Sequence, residues 1–295
     1  MNKNFVKFSA LAFSSLLIAS FSENGAAEIA GNTSIVAHHH HQDVAHSNQD
    51  KGTLSLVANG EDFVRQGFVT KDGWTMSFDR LDVNLAKVTA YQMNGAFDPT
   101  KTEADALDNL KYQSKISLVD TPQVVDLAEG EADAAPILVA NAEVNPGFYN
   151  AMAWQIDTAG ANSSLAGKTM VMQGTATKDS QTVSFNISLN RPIQYLCGEY
   201  IGDERKGFVT ENSPGELETT LHFDHVFGDG EASPDDAINV GALGFEPLAQ
   251  LASNGSLIID DAALSQKLSS ENQRKLTKAL VGLGHVGEGH CAVMK

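Results

Sequence analysis

Cysteine is scarce in this chain, and basic residues are far fewer than acidic ones. The 295 residues include only two cysteines, and 20 Lys and Arg stand against 37 Asp and Glu, for a formal net charge of −17. Nucleic acids require basic surface, so this balance argues against a nucleic-acid partner. It suits a soluble partner or cations, which a negative surface attracts.

The usual catalytic signatures are missing as well. No Gly-x-Ser-x-Gly segment provides a nucleophile elbow, and no Gly-rich phosphate loop precedes a predicted helix. We therefore predict no catalytic residues and expect a protein that is not an enzyme. A metal-dependent hydrolase stays as a lesser alternative, since a metal can activate water on histidine ligands.

The N-terminus has the order of a secretory signal peptide. Lys3 and Lys7 precede an apolar run over residues 8–18, and small residues follow at 25–27. The run is much shorter than the roughly 20 residues of a spanning helix, and no later segment is apolar enough to span. We expect cleavage after Ala27, no membrane span in the mature chain, and a periplasmic or secreted location.

Residues 28–52 are polar, lack periodicity and hold five histidines. We predict a flexible tether that captures metal ions, because His-rich tracts chelate them. A harmless polar linker or a tag remnant are the alternatives. The histidines of this tract are His38, His39, His40, His41 and His46.

From residue 53 onward, short segments with alternating polarity predict β-strands. The clearest hairpin joins residues 168–177 to residues 182–189 through a short polar loop. About ten such strands predict a mainly β protein, an antiparallel β-sandwich. Helical patterns over about 245–282 add a small C-terminal helical appendage and a Gly/His tail, all within a single domain over residues 53–295.

The segment 221–231 concentrates imidazoles and carboxylates at the end of a predicted strand, Leu217 to Phe227. In a regular strand His222 and Asp224 share the solvent face and His225 lies on the apolar face. His222 and His225 can then bind one ion only if a bulge or the strand end turns one of them. A structural role for each histidine is the alternative.

The two cysteines connect this segment to the C-terminal tail. In an oxidising compartment Cys197 and Cys291 are expected to form a disulfide, with paired thiolate ligands as the alternative. If the strand around Cys197 pairs with the strand 217–227, Cys197 lies opposite Thr220, and the disulfide holds His290 near His222. The predicted metal ligands are His222, His225, His285, His290, Asp224 and Glu288.

Imidazole and carboxylate ligands suit Zn²⁺ first and Cu²⁺ second. Calcium is a weaker alternative, because the acids at 224, 229, 231, 235 and 236 do not follow the spacing of a calcium loop. A solvated acidic loop explains them more simply.

Short motifs resemble those of known bacterial proteins. Val125-Asp126-Leu127 and the turn Asn145-Pro146-Gly147-Phe148-Tyr149 resemble uncharacterised exported β-sandwich domains over residues 52–190. The tail from Gly284 to Cys291 is similar to that of uncharacterised periplasmic proteins ending in Gly-His-x-Gly-Glu-Gly-His-Cys. The resemblance implies a fold and no activity.

These observations lead to one functional hypothesis. The chain is expected to be an exported, soluble metal-binding protein that buffers or delivers zinc or copper, with another periplasmic metal-handling protein as a possible partner. A ligand-binding or adhesion-type β-sandwich without metal is the alternative.

Overall fold

Two large β-sheets dominate the computed structural model, which describes residues 50–102 and 106–294. The protein is mainly β, as the sequence predicts, and its fold is like a β-sandwich. The predicted signal peptide and the histidines at 38–41 and 46 lie outside the described residues.

The strands follow one another along most of the described chain. They are β1 (Gly52–Asn59), β2 (Phe68–Val69), β3 (Thr75–Met93), β4 (Tyr112–Val119), β5 (Gln123–Asp126), β6 (Ile137–Val144), β7 (Gly147–Phe148), β8 (Ala151–Ile156), β9 (Met170–Lys178), β10 (Gln181–Leu189), β11 (Ile193–Cys197), β12 (Phe208–Val209), β13 (Gly215–Leu221), β14 (Ser256–Asp260), β15 (Gly284–Val286), β16 (Gly289–His290) and β17 (Ala292–Met294).

The smaller sheet has the order β16-β15-β13-β1-β6, and the larger has the order β14-β10-β9-β3-β8-β11-β17. The long strand β3 also pairs with β2, β4 and β5, and β7 pairs with β12. Most pairs are antiparallel, as expected, but β1 pairs with β13 and β10 pairs with β14 in parallel. Parallel pairing brings the carboxyl ends of β1 and β13 to the same edge of the smaller sheet.

Alternating polarity explains why these segments form strands around one core. In β10 the side chains of Val183, Phe185 and Ile187 are buried, whereas their neighbours Thr182 and Ser184 are exposed. The predicted hairpin is confirmed, because β9 and β10 pair over their whole length from Lys178 opposite Gln181. The buried faces of both sheets contribute to a single hydrophobic cluster, as in a sandwich.

Among the described residues, six α-helices connect or follow the strands, and five of them lie after β13. They are α1 (Asp62–Gln66), α2 (Asp224–Phe227), α3 (Ala237–Gly241), α4 (Glu246–Ala249), α5 (Asp261–Lys267) and α6 (Ser270–Val281).

The caps of the last two helices explain where they begin. The Asp260 carboxylate accepts a hydrogen bond from the Ala263 N–H, and the Ser269 hydroxyl accepts one from Asn272. In α6, Leu276 and Leu280 face the core. Val281, at the end of the same helix, is 40% exposed.

The strand expected over residues 217–227 ends at Leu221. Residues 224–227 form the single turn of α2, which Gly228 ends with a positive φ of 72°. Phe223 and Phe227 are fully buried in the aromatic core beside Phe78. Their burial requires the helical turn, because a straight strand would put them on one face and carry the chain past the core edge.

The expected pairing between the Cys197 strand and the His222 strand is wrong. β11 pairs with β8 and β17, and Cys197 lies opposite Met152. Thr220 lies opposite His285 instead. The Cys197–Cys291 disulfide itself is confirmed.

In the part of the chain that the structure describes, no helix has the length and apolar character to cross a bilayer.

Candidate metal centre

Four histidines and three carboxylates meet at the edge where β1 and β13 end. Glu61 follows β1 and His222 follows β13, and the parallel pairing of the two strands places them side by side. The His222 N–H donates to the Leu283 carbonyl at 3.1 Å, which joins the C-terminal tail to this edge. His222 is buried, so it does not lie on a solvent face as the strand periodicity predicted.

The helical turn of α2 brings His225 back toward His222. Their ring centroids lie 5.9 Å apart. In a continuous strand these two rings would point to opposite faces. The turn therefore provides the reorientation that a shared site requires.

The tail adds the other two imidazoles through strand pairing. β15 pairs with β13 so that His285 lies opposite Thr220, and β16 pairs with β15 so that His290 lies opposite His285. The His285 ring centroid lies 4.1 Å from that of His222, 5.1 Å from that of His225 and 4.3 Å from that of His290. His290 was expected beside His222, but its neighbours are His285 and, at 5.8 Å, His225.

Backbone carbonyls determine which ring nitrogens are free to bind an ion. The Nε2 atom of His222 lies 3.2 Å from the Gly287 carbonyl, and the Nδ1 atom of His285 lies 3.2 Å from the Leu283 carbonyl. A carbonyl oxygen only accepts hydrogen bonds, so these two nitrogens carry the protons. The lone pairs of His222 Nδ1 and His285 Nε2 are left for a ligand, and metal-binding histidines typically donate their other ring N–H to a carbonyl or carboxylate in this way.

Burial and crowding keep two of these imidazoles neutral. Burial, with a further contribution from the nearby His222, lowers the pKa of His285 from 6.5 to about 3. Burial also lowers the pKa of His225, and His222 and His290 act in the same direction. Neutral imidazole is the form that binds metal, so both side chains are ready for an ion at neutral pH.

Carboxylates lie around the Nδ1 side of the His222 ring. Its Nδ1 atom lies 3.4 Å from Glu61 Oε2 and 4.0 Å from Asp224 Oδ1. Burial, and next the charges of Asp224 and Glu288, raise the pKa of Glu61 from 4.5 to about 8. Among the described residues, the buried Asp224 Oδ1 atom has no hydrogen-bond partner.

The backbone of Glu61 is itself unusual. Its φ of 63° and ψ of 168° fall in a region that is normally restricted to glycine. Its N–H donates to the Asn59 side chain at 2.8 Å, which holds this conformation. Such strain at a charged residue concentrates at functional sites.

Two overlapping triads have ligand atoms within 4.8 Å of one another. One is His222, His225 and His285, and the other is Glu61, His222 and Glu288. Ligand atoms bound to one tetrahedral zinc at about 2.0–2.2 Å lie about 3.4 Å apart, so the atoms of each triad must close by up to about 1.4 Å. Nitrogen and carboxylate ligands in these numbers match zinc sites and also suit copper(II).

A cavity of about 410 Å³ opens beside the imidazoles. His225 and His290 contribute to its wall, together with residues of α3 and α6 that include Ile238, Lys278 and Ala279. His290 is exposed. The cavity therefore gives an ion access to the inner rings from solvent.

Sequence reasoning found six of the residues at this edge but missed Glu61. His222, His225, His285 and His290 come together, Asp224 lies beside His222, and Glu288 joins the triad with Glu61. The signal for Glu61 was present as an acid directly after the Asn59-Gly60 turn, but only the parallel pairing of β1 with β13 places it at the site.

The loop considered for calcium uses its acids locally. Asp229 accepts from the Glu231 N–H, Asp235 pairs with the Ser233 hydroxyl, and Asp236 caps α3. In the described chain none of these acids, including Asp224, belongs to a group of candidate ligands, which favours the solvated-loop interpretation.

Neither family models nor curated proteins nor solved structures gave a match. The function is therefore argued from the site.

Proposed function

We propose that this protein binds a transition metal ion at the cluster of His222, His225, His285 and His290, zinc first and copper second. The observation that carries this proposal is the convergence of four imidazoles from β13, α2 and the tail. Two of their rings are held by backbone carbonyls with a nitrogen lone pair left free. Structural histidines in a core would have both nitrogens satisfied or would pack singly among apolar residues.

The proposed role is buffering or delivery. The cavity beside His225 and His290 gives an ion a path in and out. The net charge of −17 attracts cations to the protein as a whole.

Binding of zinc or copper to chelator-treated protein tests this proposal. Competition with a chromogenic chelator should give tight binding, and metal should remain after dialysis. The double variant His225→Gln/His290→Gln changes the two more accessible rings and should weaken binding by more than the roughly 10–100-fold that loss of an outer-shell partner causes. Unchanged affinity in a folded double variant would show that the cluster is not a metal site.

The histidines at 38–41 and 46 are proposed to capture ions and pass them to the cluster. Eleven positions separate His41 from Gly52, and a chain of that length reaches at most about 40 Å. β1 has eight residues, about 26 Å at 3.3 Å each, and it leads to Glu61. The tract is thus long enough in sequence to deliver an ion to the far end of β1.

Replacing the five tract histidines with Gln provides the matched control for the cluster variant. It should slow metal uptake from dilute solution and leave the affinity of the cluster unchanged. If the tract variant instead loses all tight binding, the tract and not the cluster is the metal site.

The proposed location is the periplasm or the exterior of the cell. The disulfide suits an oxidising compartment, and the N-terminal segment has the pattern of a cleaved signal. N-terminal sequencing of the protein from its native cell should give Glu28 as the first residue. Recovery of an intact Met1 from the cytoplasm would contradict this location.

A further inference from the structure

We propose that the cluster holds two metal ions, a nitrogen-bound ion at His225, His285 and His290 and an oxygen-rich ion at Glu61, His222 and Glu288. This inference rests on the proposed function and specifies its stoichiometry. It begins from the two triads of ligand atoms, which share only His222.

His222 can serve one of the two ions. Its Nε2–H is held by the Gly287 carbonyl at 3.2 Å, so it has one free lone pair, on Nδ1. That atom points toward the carboxylates, 3.4 Å from Glu61 and 4.0 Å from Asp224. The geometry places His222 in the oxygen-rich group.

Of the remaining three imidazoles, His225 and His285 belong to the other triad, and His290 is their neighbour. The ring centroids of His225, His285 and His290 are 4.3 to 5.8 Å apart. Rings bound through one nitrogen to a tetrahedral ion at about 2.0–2.1 Å have centroids about 5 Å apart, which matches this spacing. His290 is exposed and can turn its ring to complete the set.

The carboxylates on the other side require a cation. Within the described residues, no Lys or Arg lies within 4.0 Å of the carboxylates of Glu61, Asp224 or Glu288, and the nearby Lys206 pairs with Glu216 and Glu218. The Asp224 Oδ1 atom is buried without a partner. A buried carboxylate oxygen without a partner is costly, and a divalent ion held by Glu61 and Glu288 beside it would satisfy it.

Glu61 supports the same assignment independently. Its backbone is held in a glycine-like conformation by the Asn59 side chain. The result is a carboxylate beside His222 rather than in solvent. Without a ligand, this arrangement combines backbone strain with the desolvation of a side chain that is three-quarters covered.

The number of zinc ions per chain tests the proposal. The full-length protein should retain two zinc equivalents by mass spectrometry after dialysis, and titration calorimetry should resolve two binding events. Because the tract could add weak binding, the five tract histidines are replaced by Gln in every sample.

Three variants assign the ions. Glu61→Gln and Glu288→Gln should each lose the oxygen-rich ion and keep one equivalent, and His225→Gln should lose the other ion. Glu211→Gln, which removes an exposed acid before the start of β13 at the far end of that strand, should keep both.

Copper(II) gives a structural readout. Two ions this close should couple magnetically and broaden the electron paramagnetic resonance spectrum, and Glu288→Gln should restore the sharp spectrum of a single ion.

The outcomes separate this inference from the proposed function. One equivalent in the parent protein, or two in both Glu61→Gln and Glu288→Gln, overturns the two-ion centre and leaves a single metal site. Binding of no metal at all overturns both proposals.

Discussion

Glu61 is a single residue whose conformation and burial lower the stability of the fold at the candidate site. Its φ of 63° with ψ of 168° is a conformation that costs a residue with a Cβ atom about 1–3 kcal/mol. The side chain also loses solvation, since it is three-quarters covered. Evolution rarely retains such a residue for stability.

Replacing Glu61 with Gly should therefore stabilise the metal-free protein. We expect a gain of about 1 kcal/mol in the free energy of unfolding, because relief of strain exceeds the roughly 0.5–1 kcal/mol of extra backbone entropy that glycine loses on folding. Urea denaturation in the presence of a chelator measures it. A less stable variant would mean that the Glu61 side chain supports the fold.

The pKa shifts at the site predict how metal-free stability depends on pH. The pKa of Glu61 is raised to about 8, so its protonated form stabilises the fold below pH 4.5 and this contribution is lost as the pH rises to about 8. His285 acts in the other direction. Its pKa is lowered to about 3, so its contribution is present above pH 6.5 and is lost as the pH falls toward 3.

Glu61→Gln should remove the loss of stability between pH 6.5 and 8. The gain over the parent protein at pH 8 should be at least about 1 kcal/mol, since one pKa unit corresponds to about 1.4 kcal/mol. Denaturation curves at pH 5, 6.5 and 8 in chelator check it. Parallel pH profiles of the two proteins would show that Glu61 titrates normally.

At the residue level, the sequence predicted the histidines and not Glu61. The histidines stand out because they flank predicted elements, and they are His222, His225, His285 and His290. Glu61 is one of many acids in an acidic chain. Only its position after β1, and the strand that lies beside it, make it part of the site.

At the level of elements, the tail from β15 to β17 is the part of the site with the least support of its own. β15 and β17 are three residues each and β16 is two. Their positions depend on pairing with β13 and β11 and on the Cys197–Cys291 disulfide. The Tyr195 hydroxyl donates to the Leu280 carbonyl and fixes the start of the tail.

Replacing both cysteines with Ala should weaken the fold and the site together. We expect a loss of about 2–5 kcal/mol in the free energy of unfolding, the usual effect of removing a native disulfide. Metal affinity should also fall, because His290 is next to Cys291. Chemical denaturation and metal competition measure the two effects.

The metal affinity of the cysteine variant, measured when metal is added, provides an internal control for its loss of stability. If the tail is held mainly by its strand pairs, the variant will lose stability and keep the affinity of the parent protein. That result would contradict the view that the disulfide positions His290.

Local patterns predicted the elements better than their pairing. The β9–β10 hairpin depends on residues close in sequence and was predicted with its approximate bounds, and α5 and α6 lie within the helical segment expected over about 245–282. The β1–β13 pair joins strands about 160 residues apart, and no local signal specifies it. The end of β13 at Leu221 was also not predicted. Phe223 and Phe227 continue the alternation of polar and apolar residues along the sequence, but the chain forms a helical turn there, and this turn buries both side chains.

At the level of the whole molecule, the excess of negative charge should affect how fast ions arrive. The net charge of −17 produces a field that attracts cations, and salt screens it over about 10 Å at 0.1 M. The association rate of Zn²⁺ should therefore fall as ionic strength rises from 0.01 to 0.15 M, while the dissociation rate changes little. Stopped-flow measurements with a competing chelator separate the two rates.

Uncharged probes provide the control for this effect. A neutral small-molecule quencher of tryptophan should show no change in its collision rate over the same range of salt. An association rate for Zn²⁺ that is independent of ionic strength would show that the local site alone governs capture.

The parallel pairing of β1 with β13 has a consequence for how the protein is made. The ligands of the centre are spread from Glu61 to His290, so a ribosome must complete some 230 further residues after Glu61 before the last imidazole exists. A growing chain holds isolated ligands and no centre. Under the proposed function, loading with metal is thus a late event that reports a finished fold, and a chain stalled or cut before β15 would leave its ions for other proteins.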